Sequence, residues 1–244
     1  MPERIEGRNA VLEALRAAVA LERIQIARGV RDDDSIREIK SLARVAGIPV
    51  SEVDRAALDR ESERGHHQGV AAIAPDFTYA TLADVLARAG DKERSVVVVL
   101  DHVTDPGNFG AIIRSAEGAG ADGVVIAERR SAPVTAVVHK ASAGATSHIP
   151  VARVSNLVRA LEELKERGFW VAGASEHASD SLWSAPLEGR IVLVLGAEGS
   201  GLSRLVSETC DFGVSIPLVG EVGSLNVAQA ATVLLFEWVR RAGR

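Results

Sequence analysis

The sequence predicts an α/β protein with a mostly parallel sheet and a second, smaller α/β unit before it. Three observations predict this. Short runs of Val, Ile and Leu alternate with segments of helical periodicity along the chain. Some runs, such as Val-Val-Val-Val-Leu100 after Ser95, are apolar at every position, as in strands buried on both faces. Apolar residues are 47% of the 244 and aromatics only 4%, so the core is made of small and β-branched side chains. With 25% charged residues and a formal net charge of −5, the chain is neither disordered nor collagenous nor a coiled coil.

In the first unit, 7–18 reads as a helix, with Val11, Leu12 and Leu15 at helical spacing. A strand follows at 23–27. The stretch 32–46 is a helix with Asp in its first turn and Gly47 past its end, as the helix dipole and C-cap prefer. A strand starts at 48, a helix covers 54–61, and a strand at 70–74 stops at Pro75. These elements make a unit of residues 1–75. Residues 76–93 read as a linker or bridging helix, without the Gly/Ser content of a flexible tether.

The second unit, 94–244, carries strand patterns at 95–100, 123–127, 169–173, 191–195 and 212–216. Helical patterns lie between them. In 155–167, Leu157, Leu161 and Leu164 share a face and Gly168 is the stop. Such alternation predicts right-handed crossovers. The last helix, 225–240, is apolar almost all round and is expected in the core or in a subunit interface.

Several function classes are disfavoured. The lone Cys210 excludes an internal disulfide and fits a reducing, cytoplasmic setting. The mixed-charge start lacks the apolar core of a signal peptide, and the longest strongly apolar stretch is too short to span a membrane. His66 and His67 have no Cys or acidic ligand pair nearby, so no metal site is expected. Gly118-Ala-Gly120-Ala-Asp-Gly123 matches a dinucleotide fingerprint literally. It sits at a helix end before a strand, the reverse of the required order, and reads as a helix stop.

Three segments share one design, an apolar strand that delivers a polar, Gly-containing loop. Ligands of open α/β sheets bind at that edge. The first, Asp101-His-Val-Thr-Asp105-Pro-Gly-Asn108-Phe-Gly110, leads into a helix carrying Arg114. If that helix starts near Gly110, Arg114 lies about one turn in and Asn108 at the cap, both facing one cleft. The second is Leu195-Gly196-Ala-Glu198-Gly-Ser-Gly201. Its glycines allow close backbone approach, and its carboxylate disfavours a phosphate ligand. The third, Ile216-Pro-Leu218-Val-Gly-Glu-Val-Gly-Ser224-Leu225-Asn226, opens the last helix. Ser224 suits its N-cap, whereas Asn226 inside the first turn has no evident structural role.

Together these segments resemble the three motifs of the SpoU (TrmH) family, RNA 2′-O-ribose methyltransferases of the SPOUT class, over about residues 95–244. Gly7-Arg-Asn-Ala-Val-Leu-Glu-Ala-Leu and His67-Gln-Gly69 are similar to the ribosomal-protein-like RNA-binding domain of the 23S rRNA guanosine methyltransferases. The resemblance implies a deep trefoil knot in the second unit and S-adenosylmethionine as cofactor. Gly196, Ile216 and Leu225 would hold its adenine, with Leu195, Gly201 and Leu218 nearby. It implies Asn108, Arg114, Ser224 and Asn226 as catalytic residues, an RNA partner and a homodimer. The leading expectation is 2′-O-methylation of a 23S rRNA guanosine. A tRNA methyltransferase of the same family and a catalytically silent RNA-binding module are the alternatives. Arg129-Arg130, His139-Lys140, Arg153, Arg4 and Arg8 offer local positive charge despite the acidic total.

Overall fold

The computed structural model describes residues 3–62, 65–221 and 223–241. Met1 and Pro2 of the mixed-charge start, Val222 of the third segment and the last three residues lie outside these. The chain divides into two compact units, Met1–Thr78 with Val134–Gly144, and Tyr79–Pro133 with Ala145–Arg244.

The first unit contains β1 (Glu3–Glu6), α1 (Arg8–Arg16), β2 (Arg23–Ala27), α2 (Asp34–Val45), β3 (Val50–Val53), α3 (Arg55–Glu61) and β4 (Val70–Ala74). Its sheet runs β1-β4-β2-β3, with β4 antiparallel to both neighbours and β2 parallel to β3. Asp33 caps α2 by accepting from the Ile36 amide. Val11, Ile24, Ile36, Ile39 and Val70 form a buried core. Burying each such side chain contributes about 1.5–3 kcal/mol. The start of the chain, read only as mixed charge, supplies β1. A later segment also belongs to this unit. There Ala136 donates its amide to Glu3, and Lys140 pairs with Glu13 at 2.7 Å.

The second unit opens with α4 (Leu82–Ala89) and β5 (Ser95–Asp101). Then come α5 (Pro106–Gly118) and β6 (Gly123–Ala127). The chain returns to the first unit for α6 (Ala136–Ala141). A 3-10 turn at Ala145–Ser147 precedes β7 (Val151–Val154), α7 (Leu157–Glu166) and β8 (Trp170–Ala174). Last are β9 (Arg190–Gly196), α8 (Arg204–Thr209), β10 (Phe212–Val214) and α9 (Val227–Arg240). The six strands lie in the order β10-β8-β9-β5-β6-β7, and every pairing is parallel. All their C-terminal ends therefore share one edge.

Part of the interval 76–93 is built into this unit. Ala80 bridges to Ala152 on the free side of β7, and Thr81 starts α4 with a capping box shared with Asp84. Leu82, Val85 and Ala89 join Val97, Val125, Leu161 and Leu164 in one core. A Cβ on Gly123 would lie 2.6 Å from Val85, so the glycine permits α4 to pack this closely. Gly120, at φ +74°, ends the turn after α5, so the fingerprint-like glycines are a helix stop.

Two helix starts differ from the expectation. Asp105 accepts from the Asn108 amide at 2.7 Å, with Pro106 at the first helical position, so α5 begins at Pro106 and not near Gly110. Asn226, not Ser224, is the N-cap of α9, and its side chain accepts from Ala228 and Gln229. The last helix is less uniformly covered than its composition suggests. It buries Val227, Ala231, Leu234, Leu235 and Trp238 within its own unit and leaves Phe236 47% exposed.

Candidate active site

Beyond the C-terminal ends of β8, β9 and β10 lies a cavity of about 660 Å³. That is within the range of small-molecule sites. Leu195, Gly196, Gly201, Ile216, Leu218 and Leu225 all line it, as do Ser224 and Asn226. Its walls combine leucine and isoleucine side chains, glycine backbone and polar groups such as Ser175, His177 and Glu198. Leu218 and Leu225 remain 38% and 37% exposed, so part of each side chain is open.

The chain folds tightly here for a local reason. The loop after β9 turns back on itself, with Ala197 and Gly201 exchanging backbone hydrogen bonds of 3.2 and 2.9 Å. A Cβ on Gly196 would lie 2.2 Å from the carbonyl carbon of Gly201 and 2.5 Å from the Leu202 nitrogen. The glycine is therefore needed for the loop's own crossing before any ligand enters. Gly196→Ala should cost about 1–3 kcal/mol through overpacking. For a chain of this size that is a fall in Tm of roughly 3–10 °C. A melting curve matching wild type would contradict this account. Buried Asp101 anchors the same loop from β5 by accepting the Ser203 amide at 2.7 Å.

At the mouth of the cavity three side chains meet. Asn226 donates from Nδ2 to Asn108 Oδ1 at 2.8 Å and to Glu198 Oε1 at 2.7 Å. Asn108 Nδ2 donates to the same Glu198 oxygen at 3.2 Å, and the Val227 amide does so at 3.4 Å. Residues from three separate segments thus converge on one carboxylate oxygen at the start of α9. A negative charge is favourable there, because the first amides of a helix carry partial positive charge.

The remaining candidates separate. Ser224 lines the cavity and makes no hydrogen bond to any described residue. Arg114 does not line it. With α5 starting at Pro106, Asn108 is its third residue and Arg114 its ninth. Six positions are about 1.7 turns, or roughly 9 Å along the axis and 120° around it. The two side chains do not share a direction, contrary to the expectation. Arg114 is exposed and forms no ion pair or hydrogen bond with a described residue. Glu198 is the residue that sequence reasoning left out of the site. The signal was present, a carboxylate in a glycine loop where a phosphate site would avoid one.

Cys210 is not a candidate nucleophile. Burial pushes its thiol up to about 11, and Sγ donates to the Val206 carbonyl. Among the described residues no group of His, Cys, Asp and Glu could hold a metal ion, and no helix is long and apolar enough to cross a membrane.

Residues 95–236 match the model of the SpoU rRNA methylase family, over more than half of the chain. The chain belongs to that family. Residues 4–80 match a second family model, that of RNA 2′-O ribose methyltransferase substrate binding. An uncharacterized tRNA/rRNA methyltransferase of Mycobacterium ulcerans is 45% identical over 98% of this chain and 77% of its own. The fold is that of the SpoU methyltransferase AviRb from Streptomyces viridochromogenes, solved in complex with AdoMet. The two agree with a TM-score of 0.69 and 25% identity over 99% of this chain and 90% of that one. An AdoMet-bound rRNA methyltransferase from Sinorhizobium meliloti matches with a TM-score of 0.64 and 26% identity, over 98% and 87% of the two chains.

As a SpoU family member the chain is an RNA methyltransferase that uses S-adenosylmethionine. The cavity fits that cofactor. Leu218, Leu225 and Ile216 offer apolar faces to a flat ring, the glycine backbone offers hydrogen bonds, and the Glu198 carboxylate suits a cationic sulfonium better than a phosphate.

Proposed function

We propose that this SpoU enzyme methylates the ribose 2′-hydroxyl of a guanosine in 23S rRNA, as a cytoplasmic homodimer. The observation that carries this reading is the Asn108–Glu198–Asn226 cluster at the mouth of the glycine- and leucine-lined cavity. Within the reading, residues 1–75 serve RNA recognition, 76–93 connect the units and 94–244 hold the chemistry. The chain after β10 would thread the loop after β9 to form the trefoil knot. The rRNA assignment draws support from the match of 4–80 to a substrate-binding family and from the rRNA methyltransferase of similar fold over nearly the whole chain. The dimer draws support from Phe236, left open on α9. The lone cysteine favours the cytoplasm.

S-adenosylmethionine, when bound, supplies a methyl group made electrophilic by its sulfonium. Gly196, Ile216 and Leu225 hold the adenine end, with Leu195, Gly201 and Leu218 around it. Asn108 and Asn226 present fixed amides to the incoming ribose, so the hydroxyl is aligned before reaction. Ser224, with its hydroxyl uncommitted, contacts the RNA backbone. Arg114 takes the phosphate next to the target ribose. A guanidinium is a planar cation with only N–H donors and no acceptor, so holding a phosphate suits it better than removing a proton.

The test is transfer of labelled methyl groups from S-adenosylmethionine to unmodified 23S rRNA and, separately, to unmodified tRNA. Label is expected in 23S rRNA, recovered as 2′-O-methylguanosine after digestion. Label confined to tRNA, or found on a base, would refute the assignment. Sedimentation of the same sample should give twice the chain mass.

A further inference from the structure

The half of the sheet edge away from the cofactor cavity has no role in the reading above, yet it is built as a surface. The loop after β6 is fixed on both sides. Ala132 donates its amide to Val103, in the loop that leads to Asn108, at 3.0 Å. Glu128 donates to Val154, at the end of β7, at 2.8 Å. Between these staples Arg129 and Arg130 are exposed and form no ion pair or hydrogen bond with any described residue. Arg130 is held in a left-handed conformation, φ +62°, which a non-glycine residue adopts only where its surroundings impose it. One exposed carboxylate, Glu128, adjoins the pair.

On β7, Arg153 places its guanidinium over the ring of Tyr79, with its central carbon 4.6 Å from the ring centroid. The stack is fixed by the backbone. Arg153 donates its amide to Ala80 at 3.3 Å, and Ala80 donates to Val151 at 2.9 Å. Strand alternation sets its direction. Ala152 packs into the core shared with α4 and α7, so its neighbour Arg153 projects to the opposite side of the sheet, where α5 packs against β6. The guanidinium is backed by an aromatic ring while its residue is exposed. Nucleic-acid bases stack on surfaces of this kind.

We propose that this edge binds the single-stranded RNA flanking the methylated nucleotide. Arg129 and Arg130 hold its phosphates, and the Arg153–Tyr79 stack receives one unpaired base. The row runs from the Asn108 loop through the β6 loop to β7, about two strand spacings or roughly 10 Å. A base two or fewer nucleotides from the target can reach the stack only if it leaves its duplex. The enzyme therefore selects targets in loops or opened strands. This inference rests on the proposed RNA reading and adds the form of RNA that is accepted.

The probes are a fluorescein-labelled single-stranded U12 oligoribonucleotide and a 12-base-pair RNA duplex, with binding to the full chain read by anisotropy. Wild type should bind U12 more tightly than the duplex. Arg153→Ala should weaken U12 binding about tenfold, with duplex binding changed less than twofold. Arg153→Lys keeps the charge without the plane and should recover less than half of that loss. The double variant Arg129→Ala/Arg130→Ala should weaken both probes and lower the salt slope of U12 binding by about 1.4. Melting temperature and S-adenosylmethionine affinity, measured on the same proteins, should match wild type. Tighter binding of the duplex, or U12 affinity within twofold of wild type in folded Arg153→Ala, would overturn the proposal. If wild type methylates rRNA in those cases, the parent reading survives. If it transfers no methyl group to any RNA, the parent reading fails instead.

Discussion

Arg114→Ala should slow single-turnover methyl transfer by about 10²–10³-fold with S-adenosylmethionine and RNA both saturating, while cofactor affinity stays within twofold of wild type. The magnitude is that of losing one charged group aimed at a transition state. The separation of the two effects follows from placement. Arg114 is the ninth residue of α5, exposed, without a partner among the described residues and outside the cavity lining. It cannot act through the cofactor pocket, and removing it takes no contact from the fold, so stability should move by less than about 0.5 kcal/mol. Arg114→Lys should recover little, because a phosphate held by two parallel N–H bonds needs the planar fork. Two outcomes would end this assignment. Near-normal turnover in Arg114→Ala would remove the residue from catalysis, and full recovery by Lys would show that charge alone suffices.

The same residue shows how far the sequence could be read. Periodicity located β2, β4 and β6 to the residue; in β4 an unbroken apolar run between Gly69 and Pro75 leaves few registers open. It did not locate the start of α5. Asp105-Pro-Gly-Asn reads equally as a free turn and as a cap with Pro at the first helical position. The choice depends on whether the Asp105 side chain finds the Asn108 amide. Moving that start back by four residues rotates Arg114 away from Asn108. Ser224 and Asn226 posed a similar ambiguity, since both are good caps two positions apart. The strands β1 and β7 lie at sheet edges and are only four residues long, too short for a period to stand out, and β1 has a single apolar residue. The return of α6 to the first unit rests on Glu3 and Glu13, both more than 120 residues away in sequence, and no local pattern encodes it. The cofactor cavity was the most legible part. Its lining comes mainly from the second and third motif loops, after β9 and β10, with the loop after β8 beside them, and a parallel sheet brings such loops to one edge.

Glu198 tests whether the convergence at the cavity mouth is organisation or chemistry. One carboxylate oxygen accepts from Asn226, Asn108 and the Val227 amide, while Asn226 also caps α9. In Glu198→Ala the two asparagine side chains lose the acceptor that sets their orientation. Small displacements of aligning groups cost rate steeply. Turnover should fall about 10²-fold. S-adenosylmethionine should bind more weakly as well, because a carboxylate lining the cavity, which would favour a cationic ligand, is gone. Glu198→Gln keeps an acceptor oxygen at the same place and removes only the charge. If orientation is the main role, Gln should retain more than a tenth of wild-type kcat, with the loss concentrated in cofactor affinity. The pH profile of kcat should keep its shape, since no titrating group that moves a proton has been lost. Should Gln be as slow as Ala, with the low-pH limb of the profile abolished, the carboxylate would be the proton acceptor itself. Asn108 and Asn226 would then serve to hold Glu198 in place, and the carboxylate, not the amides, would be the group that acts on the hydroxyl.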